Sequence, residues 1–192
     1  DVIALQLKYN YIPAPYSIYK NIYKLLPGHY LQLKKTDLEK NLLPKSKSYW
    51  SLKETAILGL KNLKPINIQI IKDELEVILK NTIKQQMISD VPLGTFLSGG
   101  VDSSLVAALM QSQSSQPIKT FTVGFDLTNA DGLEKSFDER IKAENLSYKF
   151  KTEQYEMVLK SGDMERCLEH FSYHLEEPRV GQSYPNYYAS KL

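Results

Sequence analysis

Apolar positions along this chain change their spacing several times, and each spacing predicts a different kind of element. Between Gln69 and Ile88 they recur every three or four residues, which is typical of one face of an amphipathic helix. The runs 95–97 and 118–125 are instead short, continuous and largely β-branched or aromatic, as in strands buried within a parallel sheet. The apolar positions of the predicted helix are Ile71, Leu75, Ile78, Leu79, Ile83 and Met87.

The region after residue 100 continues this alternation of helices and strands. Helices are predicted at 102–112, 138–150 and 164–175, a strand near 155–159, and a loop over 126–137. Strands that alternate with helices in this way indicate a parallel sheet flanked by helices. The pattern therefore predicts an α/β fold for this part of the chain.

The region before residue 68 predicts little regular structure. Residues 1–50 are rich in proline and tyrosine, and Leu31–Leu33 alternates like a short strand after the turn at Pro27–Gly28. Residues 51–67 contain a glycine, a proline and mixed polarity, which is typical of a linker. At the other end, residues 190–192 fall within a predicted helix, and both ends of the chain look cut.

Composition and charge narrow the class of protein. With 192 residues, 42% of them hydrophobic and 24% charged, the chain has the composition of an ordinary globular protein. The net charge of +2 and the absence of a basic stripe argue against a nucleic-acid partner. No apolar run is long enough to cross a membrane, so no membrane partner is expected. The single cysteine excludes an intrachain disulfide and suits the reducing cytoplasm.

The most informative motif is Ser98–Ser104, with the sequence S-G-G-V-D-S-S, between a predicted strand and a predicted helix. Gly99 and Gly100 lack the Cβ atoms that would block close approach of an anion. The first turn of the following helix offers unpaired N–H groups and the positive end of its dipole. We therefore expect a phosphate-binding loop here.

The side chains of this loop favour a metal–nucleotide substrate. Ser98, Ser103 and Ser104 add hydroxyl donors, and Asp102 can cap the helix or hold a divalent cation. No lysine follows Gly100 as in a Walker loop, and the dinucleotide pattern G-x-G-x-x-G is absent. Bound phosphates would then be neutralised by Mg²⁺ and by cations from elsewhere in the protein. The alternative is a Ser/Gly-rich turn that binds nothing.

A second strand end extends this candidate site. Ligands of parallel sheets lie beyond the carboxyl ends of the strands, and Val123 and Gly124 come near the end of the strand 118–125. Gly124 would let a flat ring or a ribose approach the backbone. Core packing is the alternative role for Val123 and for Leu97, which ends the preceding strand.

Other groups that could carry chemistry have ordinary structural explanations. His170 and His174 have metal-ligand spacing, but no glutamate follows His170 and no third ligand is apparent. Cys167 lies on an apolar helix face and is interpreted as an inert core thiol. Asp138–Glu139 stands at a helix start, where the dipole favours carboxylates. Glu176–Glu177 is either an acid–base pair or a solvated helix end.

The loop resembles the pyrophosphate loop of the N-type ATP pyrophosphatases. Its surroundings narrow the resemblance, because Ser89–Leu97 leading into the loop and the helix after it are similar to asparagine synthetase, the glutamine-hydrolysing family. Further segments fall in that family's order, so the resemblance runs along nearly the whole chain. They are Tyr11–Pro15, Lys24–Leu31, Tyr49–Trp50, Lys119–Phe125, Asp138–Glu139 and His174–Pro178.

The resemblance implies a domain organisation and a set of ATP contacts. Residues 1–50 would be the end of a glutaminase domain and its junction, 51–67 a linker, and 68–192 an incomplete synthetase domain of the adenine-nucleotide alpha-hydrolase type. Leu97 and Val123 would flank the adenine and ribose. Asp138, Glu139 and Glu177 are candidate active-site residues, and Asp102 the candidate Mg²⁺ ligand. The expected ATP-binding residues are Leu97, Ser98, Gly99, Gly100, Asp102, Ser103, Ser104, Val123 and Gly124.

The resemblance also implies a reaction. The β-carboxylate of aspartate would attack the α-phosphate of ATP, pyrophosphate would leave into the loop, and ammonia derived from glutamine would convert β-aspartyl-AMP into asparagine and AMP. The chain includes neither the glutaminase cysteine nor the family's second loop, Ser-Gly-x-Gly-x-Asp-Glu. We therefore expect these residues alone to be inactive. Small molecules are the expected partners, and a homodimer is compatible with the resemblance.

Two segments depart from the family pattern. Lys151–Gln154 replaces the usual Gly-Thr-Asp-His, and Arg179–Pro185 differs from the commonest version near the acceptor site. Two alternatives therefore stay open. One is a related amidotransferase that adenylates a sugar acid or a peptide carboxylate, and the other is a non-catalytic nucleotide-binding scaffold. A tRNA-modifying enzyme is disfavoured because the basic surface and thiol chemistry that it needs are missing.

Overall fold

The structure is a computed structural model that describes residues 2–63, 67–128, 138–175, 177 and 183–192. The chain divides into two compact units. The first contains Asp1–Ile66 and Leu175–Val180, and the second contains Asn67–His174 and Gly181–Leu192. The assignment of 1–50, 51–67 and 68–192 to a glutaminase remnant, a linker and a synthetase domain stays a prediction.

The first unit contains a small antiparallel ribbon and three helices. The helices are α1 (Val2–Tyr9), α2 (Lys35–Glu39) and α3 (Leu52–Lys61), and the paired strands are β1 (His29–Tyr30) and β2 (Lys47–Ser48). The prediction of a strand at Leu31–Leu33 is wrong, because the paired strand begins two residues earlier, at His29, and ends three residues earlier, at Tyr30. Gly28 adopts a φ of +68° and places His29 directly opposite Ser48, so the turn sets where pairing begins.

The linker predicted at 51–67 is largely helical. Residues 52–61 form α3, and the Ser51 hydroxyl caps this helix by accepting the N–H of Glu54 at 3.3 Å. A serine followed three residues later by glutamate is a recognised helix-start signal. That signal outweighs the glycine within the segment. Residues 64–66 lie outside the described part of the chain.

The second unit confirms the predicted α/β fold. Its sheet has three parallel strands in the order β3–β4–β5, with Gly94 opposite Lys119 and Lys119 opposite Glu153. The helices that accompany the sheet begin and end close to the predicted bounds. The elements are α4 (Ile68–Gln86), β3 (Gly94–Phe96), α5 (Val101–Ser112), β4 (Lys119–Phe125), α6 (Arg140–Phe150), β5 (Glu153–Leu159), α7 (Asp163–Leu175) and α8 (Ser183–Ala189).

The core of this unit lies at the carboxyl end of β3. Leu97, Ala107 of α5 and Ala143 of α6 form a buried cluster, and Leu146 and Phe150 pack against it. The two alanines are fully buried, and their small side chains let both helices approach the end of the strand closely. The core therefore holds the starts of α5 and α6 beside the loop that follows β3.

Several bounds differ from the prediction by a few residues. Helix α6 begins at Arg140 rather than 138, β5 begins at Glu153, and α8 ends at Ala189, before the last three residues. In the loop predicted over 126–137, only 126–128 belong to the described residues. Among the described helices, none combines the length and apolar character that a bilayer crossing requires.

Candidate functional site

The loop after β3 is attached to the neighbouring strand β4 by its backbone. The N–H of Leu97 donates to the carbonyl of Phe121 at 2.9 Å, and the hydroxyl of Thr122 donates to the carbonyl of Leu97 at 2.8 Å. Leu97 and Thr122 are both almost fully buried. These two bonds fix the point at which the chain leaves the sheet for the loop.

The three predicted serines are brought together and close the loop on itself. Ser103 Oγ accepts the N–H of Ser98 at 3.2 Å and lies 2.9 Å from Ser98 Oγ. Ser104 Oγ donates to the carbonyl of Gly100 at 2.6 Å, and the N–H of Gly100 lies 3.4 Å from Ser98 Oγ. The hydroxyls therefore shape the turn. To donate to an incoming phosphate, they would exchange these internal partners for its oxygens.

The two glycines of the loop do different things. Gly99 has a φ of +78°, and a Cβ there would lie 2.7 Å from Cβ of Lys142 and 3.4 Å from the backbone nitrogen of Ala143. Gly99 is therefore needed for the left-handed turn and for close packing on α6, rather than for an open approach. Gly100 is the N-cap of α5, and a Cβ there would meet only Ser98 Oγ, at 3.4 Å. The space beside Gly100 is therefore open, and the binding of an anion there stays a prediction.

Asp102 is exposed in the first turn of α5. Of the two roles that the sequence left open for Asp102, the structure does not show helix capping, because the N-cap is Gly100 and no side chain caps it. Across the described residues, no hydrogen bond or ion pair involves the Asp102 carboxylate. A free carboxylate at a helix start is favoured by the helix dipole and is available to a cation.

The donor set fits a Mg²⁺ ion that arrives with a nucleotide. The described residues contain no group of three histidine, cysteine or acidic side chains placed to hold a metal. Mg²⁺ commonly takes one or two protein carboxylates and completes its octahedron with water and substrate phosphates. Asp102, as a single carboxylate beside the loop Ser98–Ser104, matches that arrangement.

A cavity of about 120 Å³ lies beyond the ends of β3 and β4. Four predicted residues line it, namely Leu97, Ser98, Val123 and Glu139. Pockets for whole ligands usually measure about 300–1,000 Å³, so this space suits one part of a nucleotide. The other lining residues, which include three of α8 that the sequence did not single out, are Phe96, Phe121, Phe125, Pro185, Asn186 and Ala189.

The reason predicted for Gly124 needs correction. A Cβ at this position would overlap the side chain of Arg140, with Cγ and Nε each 2.5 Å away. Arg140, not a ribose or a flat ring, therefore occupies the space that the glycine leaves. The contact between Gly124 and ATP stays a prediction.

Asp138 is engaged by the same arginine. Its Oδ1 accepts the N–H and Nε–H of Arg140 at 3.2 and 2.8 Å, and its Oδ2 lies 2.7 Å from Nη2. Hydrogen bonds from Arg140 lower the pKa of Asp138, and Asp138 in turn raises the pKa of Arg140. Asp138 thus holds the start of α6 to the end of β4, because Arg140 Nη2 also donates to the carbonyl of Phe125 at 3.4 Å.

Replacing Asp138 with asparagine is expected to lower the free energy of unfolding at pH 7 by about 1–2 kcal/mol, because a charged hydrogen-bonded pair is lost. Arg140 lowers the folded-state pKa below the ordinary value of 3.8. The stabilisation is therefore complete above 3.8 and is lost as the pH falls through the lowered pKa. Urea unfolding of the unchanged protein and of Asp138→Asn, measured from pH 7 downward, checks this expectation. A difference in the free energy of unfolding that stays constant into strong acid would contradict it.

Glu177 belongs to the first unit, where it pairs with Lys24. Its Oε1 lies 2.6 Å from the Lys24 ammonium, which also donates to the carbonyl of Ile12 at 2.8 Å. The neighbouring Glu176 lies outside the described part of the chain, and so do residues 179–182 of the segment Arg179–Pro185 that departs from the family pattern. An active-site role for Glu177 stays a prediction.

Sequence reasoning missed the buried polar contacts behind the loop. Gln154 Nε2 donates to Thr122 Oγ1 at 3.2 Å, and Thr122 in turn donates to the carbonyl of Leu97. Gln154 stands where the resembling family has histidine, and here it supports the start of the loop Ser98–Ser104 through Thr122 and Leu97. Threonines at alternate positions of an otherwise apolar strand were the signal, since buried hydroxyls require partners.

The two histidines with metal-ligand spacing and the single cysteine all lie on α7. His170 and His174 are both exposed, and His174 makes an edge-to-face contact with Tyr173. Cys167 is buried, with 3% of its surface exposed.

A parallel sheet whose first strand leads through a glycine–serine turn into a helix start defines an α/β protein with the arrangement that proteins use for phosphate groups. The family model described as asparagine synthase matches residues 74–192. The chain belongs to the asparagine synthase family.

Curated relatives agree with that assignment. The chain is 32% identical over 195 residues to a Methanocaldococcus jannaschii protein provisionally named asparagine synthetase (glutamine-hydrolyzing) 2. This match covers 100% of the chain and 34% of that protein. It is 28% identical over 161 residues to human asparagine synthetase, covering 79% of the chain and 27% of that enzyme. It is 25% identical over 199 residues to Bacillus subtilis asparagine synthetase 1, covering 100% of the chain and 28% of that enzyme. The chain thus spans about a third or less of the length of these relatives.

Proposed function

We propose that this protein makes asparagine from aspartate, with ATP as the activating substrate and glutamine as the nitrogen source in the complete protein. The observation that carries the proposal is the closed glycine–serine turn at the start of α5, in a chain of the asparagine synthase family. The relatives named asparagine synthetase (glutamine-hydrolyzing) support the choice of substrates.

The proposed reaction has two steps. An oxygen of the β-carboxylate attacks the α-phosphorus of ATP, and the bond from that phosphorus to the bridging oxygen breaks, so pyrophosphate leaves with the electron pair. The nitrogen of ammonia then attacks the acyl carbon of β-aspartyl-AMP. AMP leaves with the former carboxylate oxygen, and the nitrogen loses a proton to give the amide.

The residues of this chain would position and stabilise charge. Backbone N–H groups at Gly100 and the first turn of α5 would donate to the departing pyrophosphate. The serine hydroxyls would add further donors, and Leu97 and Val123 would form apolar walls for the adenosine. Asp102 would hold Mg²⁺, which when bound neutralises phosphate charge.

We place this reaction in the cytoplasm, because one buried cysteine, Cys167, suits a reducing compartment. Its partners would be the small molecules of the reaction. The homodimer compatible with the family resemblance stays a prediction.

A pyrophosphate-release assay on the complete protein tests the proposal. MgATP, ammonia and a panel of carboxylates headed by aspartate are supplied, and aspartate-dependent release is the expected result. Release only with a sugar acid or a peptide carboxylate would replace asparagine synthesis by a related amidotransferase reaction. ATP binding without release for any carboxylate would contradict both and favour a nucleotide-binding scaffold.

A further inference from the structure

The phosphate loop needs a cation that its own sequence does not provide. No lysine or arginine occurs within Ser98–Ser104, yet ATP and pyrophosphate carry several negative charges. Arg140 is a cation near the end of β4, but Asp138 already accepts two side-chain hydrogen bonds from it, and Glu156 lies 3.8 Å from its Nη1. Its charge is largely balanced by these carboxylates.

Lys142 is placed against the loop itself. A Cβ on Gly99 would lie 2.7 Å from Cβ of Lys142, so the lysine side chain starts at the glycine turn. Lys142 follows Glu139 by three residues, and side chains three apart share one face of a helix. Glu139 lines the cavity together with Leu97 and Ser98, so this face of α6 borders the loop and the cavity.

The Lys142 ammonium is available to a ligand. The residue is exposed, and among the residues that the structure describes it makes no ion pair and no side-chain hydrogen bond. A lysine head is a compact charge with three donors on a flexible four-carbon stem. Such a group can follow a phosphate from the bound nucleotide to the departing product.

We propose that Lys142 binds the phosphate groups of MgATP and of the leaving pyrophosphate, as the cation that replaces a loop lysine. The proposal rests on the proposed function in taking ATP as the ligand. It assigns to α6 a direct part in phosphate binding, in addition to its packing on Gly99.

The test compares three variants of the complete protein. Lys142→Met removes the charge and keeps much of the stem, Lys142→Arg keeps the charge, and Lys149→Met removes a matched charge from the last turn of the same helix. Lys149 lies about 10 Å further along the axis. Lys142→Met is expected to raise KM for MgATP and the inhibition constant of free pyrophosphate each about tenfold, because a charge-assisted bond is lost.

The controls separate binding from structure. In Lys142→Arg, KM for MgATP and the inhibition constant of pyrophosphate should stay within about threefold of the values for the unchanged protein. In Lys149→Met, both values should stay within about twofold. KM for aspartate should not change in any variant. Equal effects of Lys142→Met and Lys149→Met, or no effect of either, would overturn the proposal while leaving asparagine synthesis intact. If the complete protein forms no product, the dissociation constant of MgATP for the same variants tests the role of Lys142 separately from asparagine synthesis. If the complete protein does not bind MgATP at all, both proposals are overturned.

Discussion

Replacing Asp102 with asparagine is expected to lower aspartate-dependent pyrophosphate release by about 100-fold or more. The carboxylate is exposed, stands in the first turn of α5, and is the candidate ligand for the Mg²⁺ that accompanies ATP. An asparagine keeps the size of the side chain and removes the charge that a hard cation requires. Initial rates at saturating ATP, measured over a range of Mg²⁺ concentrations, check this expectation.

Stability should be nearly unaffected by that change, because Asp102 caps no helix and pairs with no described residue. The matched control is Asp73→Asn, which removes the same charge from the exposed surface of α4, where Asp73 accepts a hydrogen bond from Gln69 at 2.9 Å. The control should keep full activity. If Asp102→Asn retained full activity at low Mg²⁺, the carboxylate would have no part in holding the metal.

Replacing Gly99 with alanine is expected to lower the free energy of unfolding by about 2–4 kcal/mol. The residue has a φ of +78°, where a side chain adds strain. In addition, the new methyl group would lie 2.7 Å from Cβ of Lys142 and 3.4 Å from the nitrogen of Ala143. Both neighbours belong to a helix and cannot move independently, so α6 must shift away from the loop. Urea unfolding measures the loss.

Gly59→Ala is the matched control for that experiment. Gly59 lies within α3, and a Cβ there would have no atom within 4 Å. Because alanine is a better helix former than glycine, this change should raise stability by about 0.5–1 kcal/mol. Similar changes in the free energy of unfolding for Gly99→Ala and Gly59→Ala would contradict this expectation. They would show that the loop tolerates a side chain and that the close packing on α6 is unimportant.

Local signals predicted the parts of the fold that neighbouring residues determine. The periodic apolar positions of α4 and the strand–glycine–helix order around Ser98–Ser104 both led to the observed elements. The start signal at Ser51 and Glu54 is equally local, and it determines the helix α3 within the segment that glycine and mixed polarity predict to be a linker.

Contacts between distant residues decided what sequence reasoning could not. The space at Gly124 is filled by Arg140, sixteen positions further along the chain, and nothing near Gly124 indicates this. The bond from Thr122 to the carbonyl of Leu97 joins residues 25 apart, and Gln154 reaches Thr122 from another strand. Such pairs depend on strand register and on helix packing, which a pattern of residue types does not specify.

The most direct test of the account follows an oxygen atom through the reaction. The complete protein is supplied with MgATP, ammonia and aspartate labelled with ¹⁸O in its β-carboxylate, and the AMP and phosphate products are examined by mass spectrometry. Attack of the carboxylate on the α-phosphorus predicts one labelled oxygen in AMP and none in pyrophosphate. Formation of ADP with label in inorganic phosphate, or of AMP without label, would contradict an adenylate intermediate and with it the role assigned to the loop at Ser98–Ser104.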